Sequence, residues 1–303
     1  MQIGIGELLS VTSAMCWATG VILYRRLGDM LPPLALNFFK NALVLGLLLP
    51  VVLWMYGAHP PPMTGSMVAL SLLSGLLGLA IADTLYFSAL NALGAGRMGV
   101  VGNFYSPFVL TLSFAFLGER LNLVQGMGFV LVSGGVLLVA RPEGGWGGID
   151  GRAQRRGALL GVVAMALMAC GIVIAKPILE RAPLLWVTAL RMIGGFAGML
   201  AIAAARGELG QLWPTRHRAT GHQPLHWPTL VLAALIGQGL SMLLWLAGYK
   251  YTKASVASVL NETSSVFILL FAAWWLHERL TRRAVLGVAL TMGGIVCMLT
   301  QGN

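Results

Sequence analysis

Apolar residues along this chain come in long blocks, and the polar residues are gathered between them. Ten windows of about 17 to 25 mostly apolar residues fall at roughly 5–25, 34–56, 66–91, 97–117, 122–140, 157–179, 184–205, 228–249, 254–276 and 283–300. That is the length an ~30 Å hydrocarbon layer requires of a helix. Connections such as Gly118 to Leu121 and Thr252 to Lys253 are so short that the helices they join must be antiparallel neighbours. The pattern predicts an all-α membrane protein with ten transmembrane helices. The first window has no basic segment before it and no small-residue cleavage site after it, so it reads as a retained helix.

The pattern also repeats. A shift of 159 positions carries Ala95, Val100, Ser106, Phe108, Leu117, Glu119, Arg120, Leu121 and Gly128 onto Ala254, Val259, Ser265, Phe267, Leu276, Glu278, Arg279, Leu280 and Gly287. Each copy is an apolar helix, a Glu-Arg-Leu turn and a second apolar helix. Earlier in each half Pro32 stands eight residues before Lys40, and Pro183 eight before Arg191. The Gly-rich run around Pro142 to Gly157 divides the windows five and five. This gives a first five-helix repeat over 1–141, a linker over 142–156 and a second repeat over 157–303. Because five is odd, the second set must enter the membrane from the opposite side. The result is an inverted repeat, an architecture that places its substrate path where the halves meet.

Composition strengthens the membrane reading: 57% of residues are hydrophobic and only 10% charged, with a mean hydropathy of +0.82. A soluble domain carries about a quarter charged residues. The net charge of +10 does not point to nucleic acid, because nearly every Lys and Arg sits in a connection between apolar segments. Cys16, Cys170 and Cys297 all lie inside apolar windows without metal spacing, and read as small packing residues. The expected location is the cell (inner) membrane.

These features together resemble the EamA branch of the drug/metabolite transporter superfamily. The resemblance rests on two five-helix halves, each with Pro-x7-Lys/Arg at the entry to its second helix and a Glu-Arg-Leu turn between its fourth and fifth. It covers essentially the whole chain; His277-Glu278-Arg279-Leu280 departs by one residue from the form Gly118-Glu119-Arg120-Leu121 takes. It implies a ten-helix carrier, often an exporter of amino acids, other metabolites or xenobiotics, working by alternating access. Orientation divides the two arguments. With a cytoplasmic N-terminus, the inside loops would hold Arg120, Lys176, Arg181, Lys250 and Lys253, against thirteen arginines outside, among them Arg25, Arg26, Arg141 and Arg152. The charge count therefore favours both termini outside, whereas the resemblance implies the reverse.

Ionisable groups in lipid cost at least ~2.5–3.5 kcal/mol each on insertion scales, so each calls for a partner or a purpose. Those predicted to face inward are Lys40, Asp83, Arg191 and Glu262. Pairing Lys40 with Asp83 and Arg191 with Glu262 is the simplest arrangement, and cross-half pairing is equally allowed; the alternative reading is structural ion pairs near helix ends, where Lys40 and Arg191 snorkel to the interface. A cavity with two bases and two acids suits a zwitterion such as an amino acid. Glu262 has Asn103 as its repeat mate, which makes it a candidate proton carrier, with protons as the coupling ion. The alternative is a polar anchor or substrate contact. Tyr86 and Trp245 are repeat mates that would line an apolar part of the site. The candidate substrate-binding set is thus Lys40, Asp83, Tyr86, Asn103, Arg191, Trp245 and Glu262. Asn37, Asn41, Tyr105, Gln238 and Ser241 are further hydrogen-bonding candidates, Trp17, Phe104 and Tyr249 further aromatic ones. Pro107 is expected to kink its helix around the cavity, and Pro177 either to do the same or, being close to a helix end, to punctuate it.

Other motifs carry less. Gly94-Ala95-Gly96-Arg97-Met98-Gly99 matches GxGxxG but joins two membrane helices, so it reads as a tight turn. His217, His222 and His226 share a Pro- and Arg-rich loop and read as solvated. The Glu-Arg-Leu turns read as helix-end caps and hairpin locks. Glycines in the fifth, seventh and tenth helices fit close helix packing or dimer contact, leaving monomer and homodimer both open. No cofactor or metal is expected, and no catalytic cluster recurs at helical spacing. The expected function is a secondary exporter of small metabolites, amino acids or related amphipathic solutes. A multidrug carrier of the same fold or a non-transporting sensor or scaffold is the alternative.

Overall fold

The computed structural model describes residues 4–28, 31–57, 59–93, 98, 101–140, 152–212, 226–276 and 282–298. Ten helices follow one another up and down: α1 Ile5–Gly28, α2 Pro33–Tyr56, α3 Gly65–Leu93, α4 Tyr105–Leu117 and α5 Leu123–Ala140. The second set is α6 Arg152–Arg181, α7 Leu184–Ala205, α8 Trp227–Tyr251, α9 in two pieces, Ala254–Asn261 and Ser264–Leu276, and α10 Arg282–Met298. Six of them meet the length and hydropathy of a membrane span outright, and α4, α5 and α10 are shorter apolar helices. The outside of the bundle is apolar: Trp54, Leu123 and Phe116 are 87%, 84% and 75% exposed. Such residues are stable there only against lipid. Helix α6 begins at Arg152, inside the run expected to be linker.

The two halves do not stand side by side. They interleave, and several helices lean on a helix of the other half at a glycine. A Cβ on Gly20 of α1 would run into the Cα of Gly237 on α8. One on Gly128 of α5 would meet the Gly294 carbonyl of α10 at 2.9 Å, and one on Gly75 of α3 would strike the Arg191 carbonyl of α7. Close backbone approach of this kind is how helices associate where lipid removes the hydrophobic incentive. Gly128, Gly135, Gly194, Gly195, Gly198 and Gly294 therefore serve packing between the halves within one chain, whereas Gly126, Gly134 and Gly293 meet no other helix.

Two irregularities recur symmetrically. Helices α3 and α8 each widen to a π-helical turn, at Leu76–Ala82 and Ala234–Leu240. Helix α4 is preceded by a turn at Asn103–Phe104, and α9 is broken at Glu262–Thr263, the repeat-equivalent pair. Pro107 accounts for the first break, since its ring clashes with the carbonyl four residues back, that of Asn103. No proline stands near the second. There the backbone tightens to i→i−3 bonds, with the Glu262 and Thr263 amides donating to Val259 and Leu260 at 3.1 and 3.2 Å, while the Thr263 hydroxyl donates to the Leu260 carbonyl at 2.7 Å. Pro177 lies within α6 and does not end it.

Candidate functional site

The π-turn of α8 brings Gln238 towards the first half, and that of α3 ends at Asp83. Lys40 of α2, fully buried, lies between them. Its ammonium donates to Asp83 Oδ2 at 2.7 Å and to Gln238 Oε1 at 2.6 Å, and stands 5.5 Å over the Phe87 ring. The amide of Gln238 donates onward to Asn41 Oδ1 at 3.0 Å. Asn41 donates to Asn37, and Asn37 to the Leu79 carbonyl at 2.7 Å and Thr84 at 3.0 Å. A chain of buried polar groups from both halves thus satisfies one another, as a low-dielectric interior demands. Trp17, Tyr24, Tyr86 and Phe87 surround it with ring centroids 5.7–6.3 Å apart. Tyr86 remains half-buried.

The expected pairing of Lys40 with Asp83 is formed. That of Arg191 with Glu262 is not. Arg191 projects from α7 onto α3 and α6, where its Nη1 donates to the Ser74 hydroxyl and, at 3.2 Å, to the Gly171 carbonyl. Its guanidinium lies 5.8 Å over the ring of the half-buried Trp245. The glycine contacts that lock α7 against α3 aim it there, away from α9. Glu262 instead sits at the break in α9 and faces α4 and α5, with Ser106 beside its carboxyl and Ser133 donating a hydrogen bond at 3.3 Å. Arg191 Nε, Glu262 Oε1 and Asn103 Nδ2 are buried without hydrogen-bond partners.

Between these groups stand Tyr105 of α4 and Tyr249 of α8, both buried, with hydroxyls 2.6 Å apart. Tyr105 lies in the electrostatic field of both Arg191 and Glu262. Along α8 the order is therefore Gln238, Trp245, Tyr249 and then Tyr251. Eleven residues separate the first polar cluster from the tyrosine contact, about 16 Å at the helical rise.

Beyond Tyr249 a vestibule of about 800 Å³ opens at the ends of α1, α4, α6, α8, α9 and α10, lined by Glu7, Glu119, Lys176, Glu180, Lys250 and Lys253 among others. Most of its charges are held in place. Lys176 pairs with Glu180 at 2.7 Å and donates to the Thr252 carbonyl at 2.8 Å. Lys250 donates to the carbonyls of Leu179 and Ala182, and Glu7 accepts from the Thr252 hydroxyl at 2.8 Å. Glu119, from the first Glu-Arg-Leu turn, accepts from the Ala254 and Ser255 amides at 2.8 and 2.9 Å and from the Ser255 hydroxyl at 2.9 Å. It caps the α9 N-terminus across the halves, which bears out the reading of this turn as a helix-end cap. The second such turn, Glu278-Arg279-Leu280, lies outside the described residues, as do His217, His222 and most of the GxGxxG run. His226, the third loop histidine, caps α8, its Nδ1 accepting from the Thr229 amide at 3.3 Å.

Sequence reasoning picked out the charges but missed the vestibule and the tyrosine pair. Tyr105 and Tyr249 were legible as polar residues in apolar windows. Their contact, 144 residues apart in sequence, was not.

Comparison with known proteins agrees with this architecture. A transporter of Archaeoglobus fulgidus, described as uncharacterized, is 23% identical over 292 residues, 96% of this chain and 97% of that one. A probable 4-amino-4-deoxy-L-arabinose-phosphoundecaprenol flippase subunit ArnE of Salmonella paratyphi C is 33% identical over 109 residues, 35% of this chain and 96% of that one. A crystal structure superposes with a TM-score of 0.75 at 18% identity, covering 96% of this chain and 95% of the other, and so shares the fold. The model of the EamA-like transporter family matches residues 4–141 and 155–300. With ten antiparallel helices, two of them interrupted at equivalent places around a buried polar core, the chain is a multi-pass membrane transporter and belongs to the EamA-like family of the drug/metabolite transporter superfamily.

Proposed function

We propose that this transporter exports small metabolites, amino acids or related amphipathic solutes, by alternating access. The observation that supports it most is the pair of interruptions at Asn103–Phe104 and Glu262–Thr263. A backbone break at mid-membrane is tolerated only where it is buried in protein or lines a cavity. In inverted-repeat carriers such discontinuous helices form the substrate and coupling-ion sites. Glu262 lies at one break with a carboxylate oxygen unpartnered, so it serves as the proton carrier, while Asn103, its neutral counterpart, makes the two breaks chemically unequal. Substrate enters between the halves and meets Lys40, Asp83, Tyr86, Arg191 and Trp245 as it passes.

Reconstituted protein tests this directly. Efflux of an amino-acid panel is measured with and without an imposed proton gradient, for wild type and Glu262→Gln. The gradient is expected to accelerate wild-type efflux several-fold and to leave the variant unchanged. Equal gradient dependence in both proteins removes Glu262 from the coupling step, and the absence of flux for every solute removes the exporter reading.

A further inference from the structure

We infer that Arg191 is the docking point for a carboxylate on the transported solute, with Trp245 as the wall against which the solute's apolar part lies. The inference deepens the carrier reading and rests on it. Of the inward charges, the Lys40–Asp83 pair is closed upon itself and further satisfied by Gln238. Arg191 is 1% exposed, and among the described residues no carboxylate pairs with it. Its polar partners, Ser74 and Gly171, are both neutral, and the Ser74 hydroxyl is itself committed to the Gly171 carbonyl at 2.5 Å. The positive charge therefore has no carboxylate in contact in the resting protein and feels Asp83 only through space, which is an unfavourable state in lipid unless a ligand completes it.

The geometry selects the ligand. Nη1 is the nitrogen held by Ser74 and Gly171, and Nε has no partner. On the remaining nitrogen, Nη2, the neighbouring residue of α3 is Gly78, where a Cβ would stand 3.6 Å away. Nη2 thus stands beside a position without a side chain, and Nε on the same edge is unpartnered. A guanidinium edge with two parallel donors matches the two oxygens of a carboxylate. Trp245, already under the guanidinium, offers its exposed remainder to an aliphatic or aromatic tail.

The test measures the thermal unfolding midpoint of the purified full-length protein against increasing phenylalanine, leucine, phenethylamine and inorganic phosphate. Phenylalanine and leucine are expected to raise the midpoint, and phenethylamine, which lacks only the carboxylate of phenylalanine, to leave it unmoved. Arg191→Gln is expected to weaken the response to both amino acids by about tenfold or more, and Arg191→Lys, which keeps charge but not the fork, by less. Should Arg191→Gln fail to fold, Arg191→Lys and Trp245→Leu decide. The former weakens both amino acids and the latter chiefly phenylalanine. The inference is overturned by any of three results: a phenethylamine response equal to that of phenylalanine, a response to phosphate but to neither amino acid, or wild-type affinities in the variants. Flux of the same compounds in vesicles separates this from the carrier reading. An Arg191-dependent midpoint shift without flux sinks transport and keeps the site, whereas flux of phenethylamine without such a shift does the opposite.

Discussion

At the scale of the residue, Lys40 and Arg191 show how two similar charges come to differ. Both stand eight residues after a proline at the entry to the second helix of their half, and nothing in that spacing tells them apart. Their surroundings do, because Asp83 follows the π-turn of α3 and has no acidic counterpart on α8, where the repeat-equivalent residue is Met242. Removing one member of a buried pair leaves the other charged and unmatched, which costs about 3–5 kcal/mol. Asp83→Asn is therefore expected to lower the unfolding midpoint sharply, and the double change Lys40→Met with Asp83→Leu to recover most of the loss. If Asp83→Asn proves as stable as wild type, Gln238 alone supports the ammonium.

At the scale of the element, the informative features are those that interrupt a helix. One break was legible, because Pro107 signals it. The break at Glu262 and Thr263 was not, since neither residue stops a helix by itself, and the π-turns of α3 and α8 carry only a weak signal, the glycines Gly78, Gly237 and Gly239, with tertiary packing deciding the bend. The α9 N-terminus depends on a side chain from the other half. Because Glu119 satisfies two of its amides with a charged acceptor, Glu119→Ala is expected to cost about 1–2 kcal/mol, read as a lower unfolding midpoint, with Glu119→Gln in between. An unchanged midpoint for Glu119→Ala means the amides find other acceptors and the cap holds nothing.

At the scale of the whole molecule, the interleaving of halves determines where the opening lies. The vestibule sits at the α1 N-terminus and α10 C-terminus, with the exposed Lys253 among its lining residues. In protein freed of its three native cysteines, Lys253→Cys, at an exposed position of the same lining, is expected to react with a membrane-impermeant thiol reagent from the face at which α1 begins and α10 ends. Reaction only from the opposite face would show that the resting carrier opens the other way.

The sequence by itself determined the helices, their number, their division into two inverted sets and the short list of charges that lipid makes expensive. Those properties follow from hydropathy and chain length, which act residue by residue and need no knowledge of neighbours. Which charges meet was decided by the tertiary structure alone. Glycine contacts between halves set the rotation of each helix about its axis, and that rotation aims Arg191 at Ser74, Gly171 and Trp245 while Glu262 faces Ser133. A helix that is apolar on every side carries no periodic stripe to fix its facing, so the partners of its few polar groups come into being only when the bundle closes.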